Sequence, residues 1–169
     1  MVYEIRTYGD EALREDALKV EDINEEIVAL VDSLVETMKD AGGVGLAAPQ
    51  IGANKRIFVI DVEDGIVRKV INPEFLEYSD EIVEHEEGCL SIPGVYKKVK
   101  RPATVKVKYT NEKGEEVIEE AEGLLSRAFQ HENDHLNATL FVDRISPVAK
   151  RMVSKKLQML KKETLKKIK

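Results

Sequence analysis

The sequence predicts a single α+β domain, with helices toward both ends of the chain and antiparallel strands between them. Two segments place apolar residues at helical spacing, a third carries two histidines four residues apart, and two pairs of strand-like segments flank tight-turn residues. Helices segregated from an antiparallel sheet are typical of this fold class. The 169 residues correspond in length to one domain, residues 1–169, and suffice for a hydrophobic core.

The first predicted helix covers residues 23–39. Asp22 and Glu25 are placed to form a capping box at its start, and Gly42 and Gly43 end it. Its apolar side chains recur at helical spacing: Ile27, Val28, Val31, Leu34, Val35 and Met38.

Two hairpins are predicted after this helix. Residues 56–72, RIFVIDVEDGIVRKVIN, contain two apolar strands around Asp64 and Gly65. Residues 103–121, ATVKVKYTNEKGEEVIEEA, alternate apolar side chains with lysines, turn at positions 111–114 and return as a second strand. The sequence therefore predicts antiparallel sheet in the middle of the chain.

Two further helices follow, at residues 123–137 and at about 147–168. Ser146 caps the last helix and Pro147 lies in its first turn. The predicted packing face of this last helix comprises Val148, Met152, Val153, Leu157, Leu160 and Leu165.

Charge is distributed unevenly along the chain. From Ser146 to the end there are nine basic residues and one acidic residue, a local charge of +8, so the rest of this −6 chain carries −14. Broad nucleic-acid binding by the main body is therefore not expected. No segment resembles a signal peptide or a membrane span, and a single cysteine suits a reducing compartment. We expect a cytoplasmic protein without membrane association.

The segment QHENDHL, residues 130–136, is the first candidate for chemistry. On a helix, His131 and His135 lie one turn apart on one face and can bind one metal ion. Two of the three histidines in the chain occupy this spacing, which argues against two solvated surface residues. A ligating histidine needs a partner on its other ring nitrogen, and Asp134 is one candidate.

A catalytic metal of this type usually takes three protein ligands and leaves a fourth position open. The candidates for the third ligand are Cys89, His85 and a distant carboxylate. Cys89 follows a glycine in EEGCLSIPG, which indicates a turn or a close backbone approach rather than an ordinary strand core. A thiolate and two imidazoles form a known open tetrahedral set.

The glycine-rich stretch GGVGLAAPQIG, residues 42–52, is a second candidate. A phosphate-binding loop is excluded because no Gly-Lys-Ser/Thr follows. Small side chains here would let a substrate approach the backbone, with Gln50 as the polar side chain. A plain connector between elements is the alternative.

Three stretches in this order resemble the motifs of peptide deformylases: GVGLAAPQ at 43–50, EGCLS at 87–91 and QHENDH at 130–135. The sequence departs from the family pattern at Glu11, His85 and Ala138. The resemblance implies antiparallel β-sheets around a central metal-binding helix. It also implies that Cys89, His131 and His135 bind a metal ion with water in the fourth place, and that the enzyme removes the formyl group from N-terminal formyl-methionine, releasing formate.

The resemblance also implies roles for other side chains. Glu132 would transfer the proton from the attacking water to the leaving amine, and the Gln50 amide and the Leu90 backbone N–H would stabilise the oxyanion. Glu87 and Arg101 are expected to form a supporting pair. The expected substrate-binding residues are Val44, Leu124 and Ala128 for the methionine side chain, Gly45 for strand-like pairing with the peptide, and Gly88.

The metal and the partners follow from the same resemblance. We expect one divalent ion, with Fe2+ as the native metal and Zn2+, Ni2+ or Co2+ also accepted. The expected partners are N-formyl-Met nascent polypeptides. The basic C-terminal helix is either a solvated face or a docking element for the ribosome, whose RNA would attract it.

Three other functions are compatible with parts of the sequence. A zinc metallopeptidase shares the helical histidine motif but lacks a cysteine in an EGCLS context. A cysteine hydrolase using Cys89 would leave one histidine without a role. A catalytically silent, metal-binding or ribosome-associated relative would not need Glu132 and Gln50.

Overall fold

The computed structural model describes residues 1–168. Helices α1 (Glu25–Asp40), α2 (Gly123–Leu136) and α3 (Pro147–Ile168) are joined by seven antiparallel strands. The strands are β1 (Gly45–Ala47), β2 (Ile57–Ile60), β3 (Arg68–Tyr78), β4 (Ile82–Cys89), β5 (Ile92–Pro102), β6 (Thr104–Thr110) and β7 (Glu116–Glu122). Short 3-10 turns cover Glu11–Arg14, Ala48–Ile51 and Phe141–Asp143. The predicted α+β class is confirmed.

The strands form a five-stranded sheet in the order β1-β2-β3-β6-β7 and a separate two-stranded ribbon, β4-β5. Both predicted hairpins are present: Phe58 pairs with Val70 between β2 and β3, and Val107 pairs with Glu119 between β6 and β7. The β4-β5 ribbon was not predicted. It carries the EGCLS motif at its turn.

Strand β2 explains how the large sheet is covered on both faces. All four of its residues are buried, because Ile57 and Val59 pack with α1 while Phe58 and Ile60 pack with α2. Successive side chains of a strand point to opposite faces, so a continuous apolar run is typical of a strand buried on both sides. Helix α2 is thereby held in the interior of the molecule.

The predicted capping box of α1 is wrong. The N-cap is Asn24, whose side-chain oxygen accepts from the backbone N–H of Ile27 at 3.0 Å. The helix begins at Glu25, so Asp22 lies before the cap and cannot serve the first free N–H groups.

The predicted packing face of α3 is correct only in part. Val148, Met152 and Leu165 are exposed by 59%, 68% and 43%. The buried stripe instead combines residues spaced three or four apart along one side of the helix: Ala149, Val153, Leu157, Leu160 and Thr164. Val148 and Met152 each precede a member of this stripe by one position, about 100° around the helix, and so face outward. Among residues 1–168, no helix is long and apolar enough to cross a membrane.

Candidate active site

Helix α2 and the turn of the β4-β5 ribbon bring three metal-binding side chains together. The Cys89 thiol lies 3.4 Å from His135 Nε2, and the imidazole centroids of His131 and His135 are 5.3 Å apart. The ligand atoms of all three residues lie within 4.8 Å of one another. Sulfur and two imidazole nitrogens are a suitable donor set for a tetrahedral ion with one open position. His85, the rival ligand, is exposed on β4 and lies outside this cluster.

Glu87 orients the His131 imidazole through the ring nitrogen Nδ1. Its Oε1 lies 2.9 Å from His131 Nδ1. Burial raises the pKa of this carboxyl, but hydrogen bonds from His131 and Arg101 outweigh it and lower the pKa to about 2. An ionised Glu87 can only accept, so Nδ1 carries the proton and Nε2 keeps its lone pair for a metal.

Arg101 and Arg127 neutralise Glu87. Arg101 donates to its two oxygens at 2.6 and 2.9 Å, and Arg127 donates to Oε2 at 2.6 Å. The expected pair of Glu87 and Arg101 is confirmed, while Arg127 was not anticipated. The side chains of Glu87 and Arg101 are each only 4% exposed, so this network lies in the interior, where it is screened little by salt.

Asp134, one candidate partner for a ligating histidine, does not orient either imidazole. Its carboxylate accepts from Arg101 at 3.0 Å and from Arg144 at 2.7 and 2.8 Å. Asp134 follows His131 by three positions, and its carboxylate turns to the arginines behind the helix. The position next to the imidazole is filled by Glu87 from β4, a neighbour that local spacing on α2 cannot reveal.

Glu132 lies on α2 between the two histidines and is 4% exposed. Burial raises its pKa to about 7, against the opposing effect of His131. Among residues 1–168, its Oε1 has no hydrogen-bond partner. Its Oε2 faces Gly45, where an added Cβ would lie 2.6 Å away. The site thus contains a carboxyl group suited to exchange a proton near neutral pH.

The two histidines differ in their affinity for protons. Burial lowers the pKa of His131, but the neighbouring Cys89 and Glu87 outweigh burial and hold the pKa well above its ordinary value. The pKa of His135 is well below its ordinary value because of burial and repulsion from His131. Since a metal needs neutral imidazoles, protons compete with an ion more strongly at His131 than at His135.

Gln50 reaches the cluster from the 3-10 turn after β1. Its Oε1 accepts from the Ala47 backbone N–H at 2.9 Å, and its Nε2 lies 3.5 Å from Cys89 Sγ and 3.0 Å from Ser91 Oγ. Leu90 follows Cys89 in the β4-β5 turn and is partly buried. Both residues line the same cleft as Cys89, His131 and Glu132.

The cleft has a volume of about 460 Å³ and brings the predicted substrate-binding residues together with the cluster. Of its lining residues, Ala128 is buried, while Val44 and Leu124 are exposed. The remaining predicted members are Gly45 and Gly88. Tyr96 also lines the cleft and was missed. An added Cβ at Gly88 would lie 2.5 Å from its ring, so glycine is needed for this packing.

Comparison with known proteins gives a consistent result. A family described as Polypeptide deformylase matches residues 2–151. A peptide deformylase from Fusobacterium nucleatum is 55% identical over 97% of this chain and 95% of its own length. One from Thermotoga maritima is 48% identical over 92% of this chain and 94% of its own.

Solved structures agree with the sequence relatives. The crystal structure of peptide deformylase from Thermus thermophilus has a TM-score of 0.91 at 41% identity, covering 96% of this chain and 99% of that one. A peptide deformylase from Synechococcus elongatus in complex with actinonin has a TM-score of 0.87 at 41% identity, covering 91% and 87%. Both fold and sequence are thus shared along nearly the entire chain.

Proposed function

The chain belongs to the peptide deformylase family, metal-dependent hydrolases that remove the N-formyl group from nascent peptides, and we propose how its own residues divide that task. Cys89, His131 and His135 hold the metal ion. Glu132 transfers the proton, and Gln50 with the Leu90 backbone N–H stabilises the oxyanion. The preferred substrate carries N-terminal formyl-methionine, and the products are formate and a free amine.

The single observation that carries this assignment is the convergence of the Cys89 thiol and two imidazoles within 4.8 Å, with Cys89 and His131 lining an open cleft. The orientation of His131 by Glu87 supports it, because the imidazole then directs Nε2 into the cluster. A divalent ion bound here would supply Lewis-acid polarisation of the formyl oxygen and acidify the attacking water.

Fe2+ is the proposed native metal. The thiolate and imidazole donors themselves accept Fe2+, Zn2+, Ni2+ and Co2+, so the donor set does not select among them. The choice of iron rests on the resemblance of the three motifs to those of the family.

Glu132 suits the role of proton carrier. Amide hydrolysis needs a group that takes a proton from water and then gives it to the leaving nitrogen, and such a group works best with a pKa near the operating pH. The raised pKa of about 7 agrees with this demand. The absence of a Cβ at Gly45 leaves room for Oε2 beside the bound formyl group.

The oxyanion would be stabilised by the Gln50 amide and the Leu90 N–H. Gln50 Nε2 lies beside the Cys89 thiol, and Leu90 is the next residue in the chain. Leu90 is therefore carried on the turn that supplies Cys89, and Gln50 reaches the same thiol from the 3-10 turn after β1. Each donor of this kind lowers the barrier by about 3 kcal/mol.

The peptide is expected to bind along β1. This strand pairs with β2 on one side and is the edge of the large sheet, so its other side can receive an extended chain. The methionine side chain would occupy the apolar part of the cleft formed by Val44, Leu124 and Ala128. Gly88 also lines the cleft, where its lack of a side chain admits the Tyr96 ring beside the proposed peptide site.

The basic face of α3 is the proposed ribosome-docking element. Lysines at positions 155, 156, 161, 162, 166 and 167 are all exposed, whereas the buried stripe faces the β4-β5 ribbon. A cationic helix on an otherwise acidic chain can bind ribosomal RNA electrostatically. A cytoplasmic location is part of this proposal, because nascent chains emerge there.

The test is formate release from a formyl-Met-Ala-Ser peptide after anaerobic purification, with metal analysis of the same sample. We expect turnover that scales with iron content and no release of acetate from the acetyl-Met peptide. Cleavage between Met and Ala instead would indicate a metallopeptidase and contradict the proposal.

A further inference from the structure

Ser91 lies directly behind the Gln50 side chain. Ser91 is completely buried and Gln50 is 1% exposed. Gln50 Nε2 donates to Ser91 Oγ at 3.0 Å, on the side of the cleft where the same nitrogen meets Cys89 Sγ. We propose that Ser91 is a positioning residue that orients the Gln50 amide toward the reacting formyl oxygen. This inference rests on the proposed role of Gln50 as an oxyanion donor.

The amide of Gln50 has only one orientation that satisfies its neighbours. The backbone N–H of Ala47 points at one end of the amide at 2.9 Å and requires an acceptor there, which is Oε1. Nε2 therefore occupies the other end and has two protons to donate. Ser91 Oγ takes one, which leaves the second for the side of Cys89 and the cleft.

The N-terminal segment holds the backbones of both residues. The Arg6 N–H donates to the carbonyl of Gln50 at 2.6 Å, and the Tyr8 N–H donates to the carbonyl of Ser91 at 2.8 Å. Gln50 and Ser91 are thus joined twice, through their side chains and through this shared segment. Because both main chains are held in this way, the Gln50 side chain can change position only by rotating about its own bonds. The hydrogen bond to the Ser91 hydroxyl restricts that rotation.

The test is a double-mutant cycle on the metal-loaded enzyme. Ser91→Ala should lower kcat by about 2- to 10-fold, the effect of one net hydrogen bond, with little change in KM. Gln50→Ala should lower kcat further than Ser91→Ala does. Adding Ser91→Ala to Gln50→Ala should lower kcat no further, because the side chain that Ser91 orients is then absent. An equal loss of kcat from Ser91→Ala in both backgrounds would overturn the proposal.

Ser126→Ala is the matched control. Ser126 is also buried, and its hydroxyl accepts from the Gln130 amide at 3.1 Å. This variant should lose stability like Ser91→Ala but keep its kcat. If Ser91→Ala does not fold, Ser91→Cys replaces it in the cycle, since a thiol is only a weak acceptor. Its loss of kcat should likewise vanish in the Gln50→Ala background, and an equal loss in both backgrounds would again overturn the proposal.

A second readout does not depend on turnover. The side-chain amide of Gln50 in 15N-labelled, zinc-loaded protein should give two well-separated proton resonances, identified by their loss in Gln50→Ala. In Ser91→Ala they should move toward the positions of exposed glutamines, and unchanged resonances would overturn the inference. If Gln50→Ala kept full kcat, the oxyanion role would fail, while this comparison would still decide whether Ser91 orients the amide.

Discussion

The Glu87 carboxylate lies 2.9 Å from Nδ1 of His131, and this contact joins the β4-β5 ribbon to helix α2. The two residues are 44 positions apart in the chain. Three arginine-to-carboxylate hydrogen bonds hold Glu87 in place, so the imidazole is oriented by a group that is itself fixed. Geometry at the cluster therefore depends on residues that touch no metal.

Replacing Glu87 by Gln should weaken metal binding and destabilise the fold together. Metal affinity should fall by about 10- to 100-fold, since the imidazole loses its charged partner. The free energy of unfolding should fall by about 3 kcal/mol, because Arg101 and Arg127 are left with less compensation in the interior. Chelator competition and urea denaturation of zinc-loaded protein measure the two effects.

The control for this variant is Glu116→Gln. Glu116 pairs with Lys108 at 3.0 Å, but both side chains are more than 40% exposed. Its loss should change the free energy of unfolding by less than about 1 kcal/mol and leave metal affinity unaltered. Wild-type metal affinity in Glu87→Gln would show that the contact with His131 does not support the cluster.

Glu132→Gln should keep the metal and lose catalysis. Glutamine has the same shape but cannot take a proton from water, so kcat should fall by about 100-fold or more. Steady-state formate release and metal content are measured on one preparation. Glu120→Gln, on the exposed side of β7, is the control for the loss of one carboxylate elsewhere in the chain. Near-normal turnover in Glu132→Gln would remove this residue from proton transfer.

Gly45→Ala should impair catalysis through Glu132. The added Cβ would lie 2.6 Å from Glu132 Oε2 and 2.9 Å from its Cδ, so the carboxylate must move. Gly43→Ala is the comparison on the same segment, because its Cβ would meet the flexible end of Leu90 at 2.7 Å. We expect the larger loss of kcat in Gly45→Ala, with circular dichroism unchanged in both. Equal kcat in the two variants would contradict the close approach of Gly45 and Glu132.

Reversing the charge of Lys161, Lys162, Lys166 and Lys167 to Glu should weaken ribosome binding. These side chains are exposed, so the variant keeps the buried stripe of α3 and should turn over a short formyl-Met peptide normally. Binding to purified ribosomes should become weaker and less sensitive to salt. Equal ribosome affinity of wild type and variant at low salt would contradict docking through these lysines and favour a face that is only solvated.

The local sequence pattern was sufficient to predict those elements whose own residues determine their structure. The spacing of His131 and His135 predicted a helix with a metal-binding face, and the apolar run in β2 predicted a strand. The β4-β5 ribbon escaped prediction because the outer part of β4 is exposed and charged, so apolar alternation is weak. The partners of β4 lie on β5 and α2, and only the folded chain shows them.

The same limit applies around the site. Glu87 was placed with Arg101 by motif and charge. Arg127, which donates to Glu87, and Arg144, which donates to Asp134, carry no local sequence signal of these contacts. Asp134 was a candidate partner for a histidine by proximity in sequence, but its carboxylate accepts from Arg101 and Arg144 instead. The N-cap of α1 is Asn24, two residues after the predicted Asp22. Residue propensities alone do not locate a helix end within two residues.

The position of the bound metal tests the account most directly. Crystals of zinc-loaded protein, measured on both sides of the zinc absorption edge, would locate the ion by its anomalous signal. We predict one strong peak about 2.3 Å from Cys89 Sγ and about 2.0–2.1 Å from Nε2 of His131 and of His135, with Glu132 beyond bonding distance. A peak bound elsewhere, or one at this cluster that includes Glu132 or omits Cys89, would contradict the assignment.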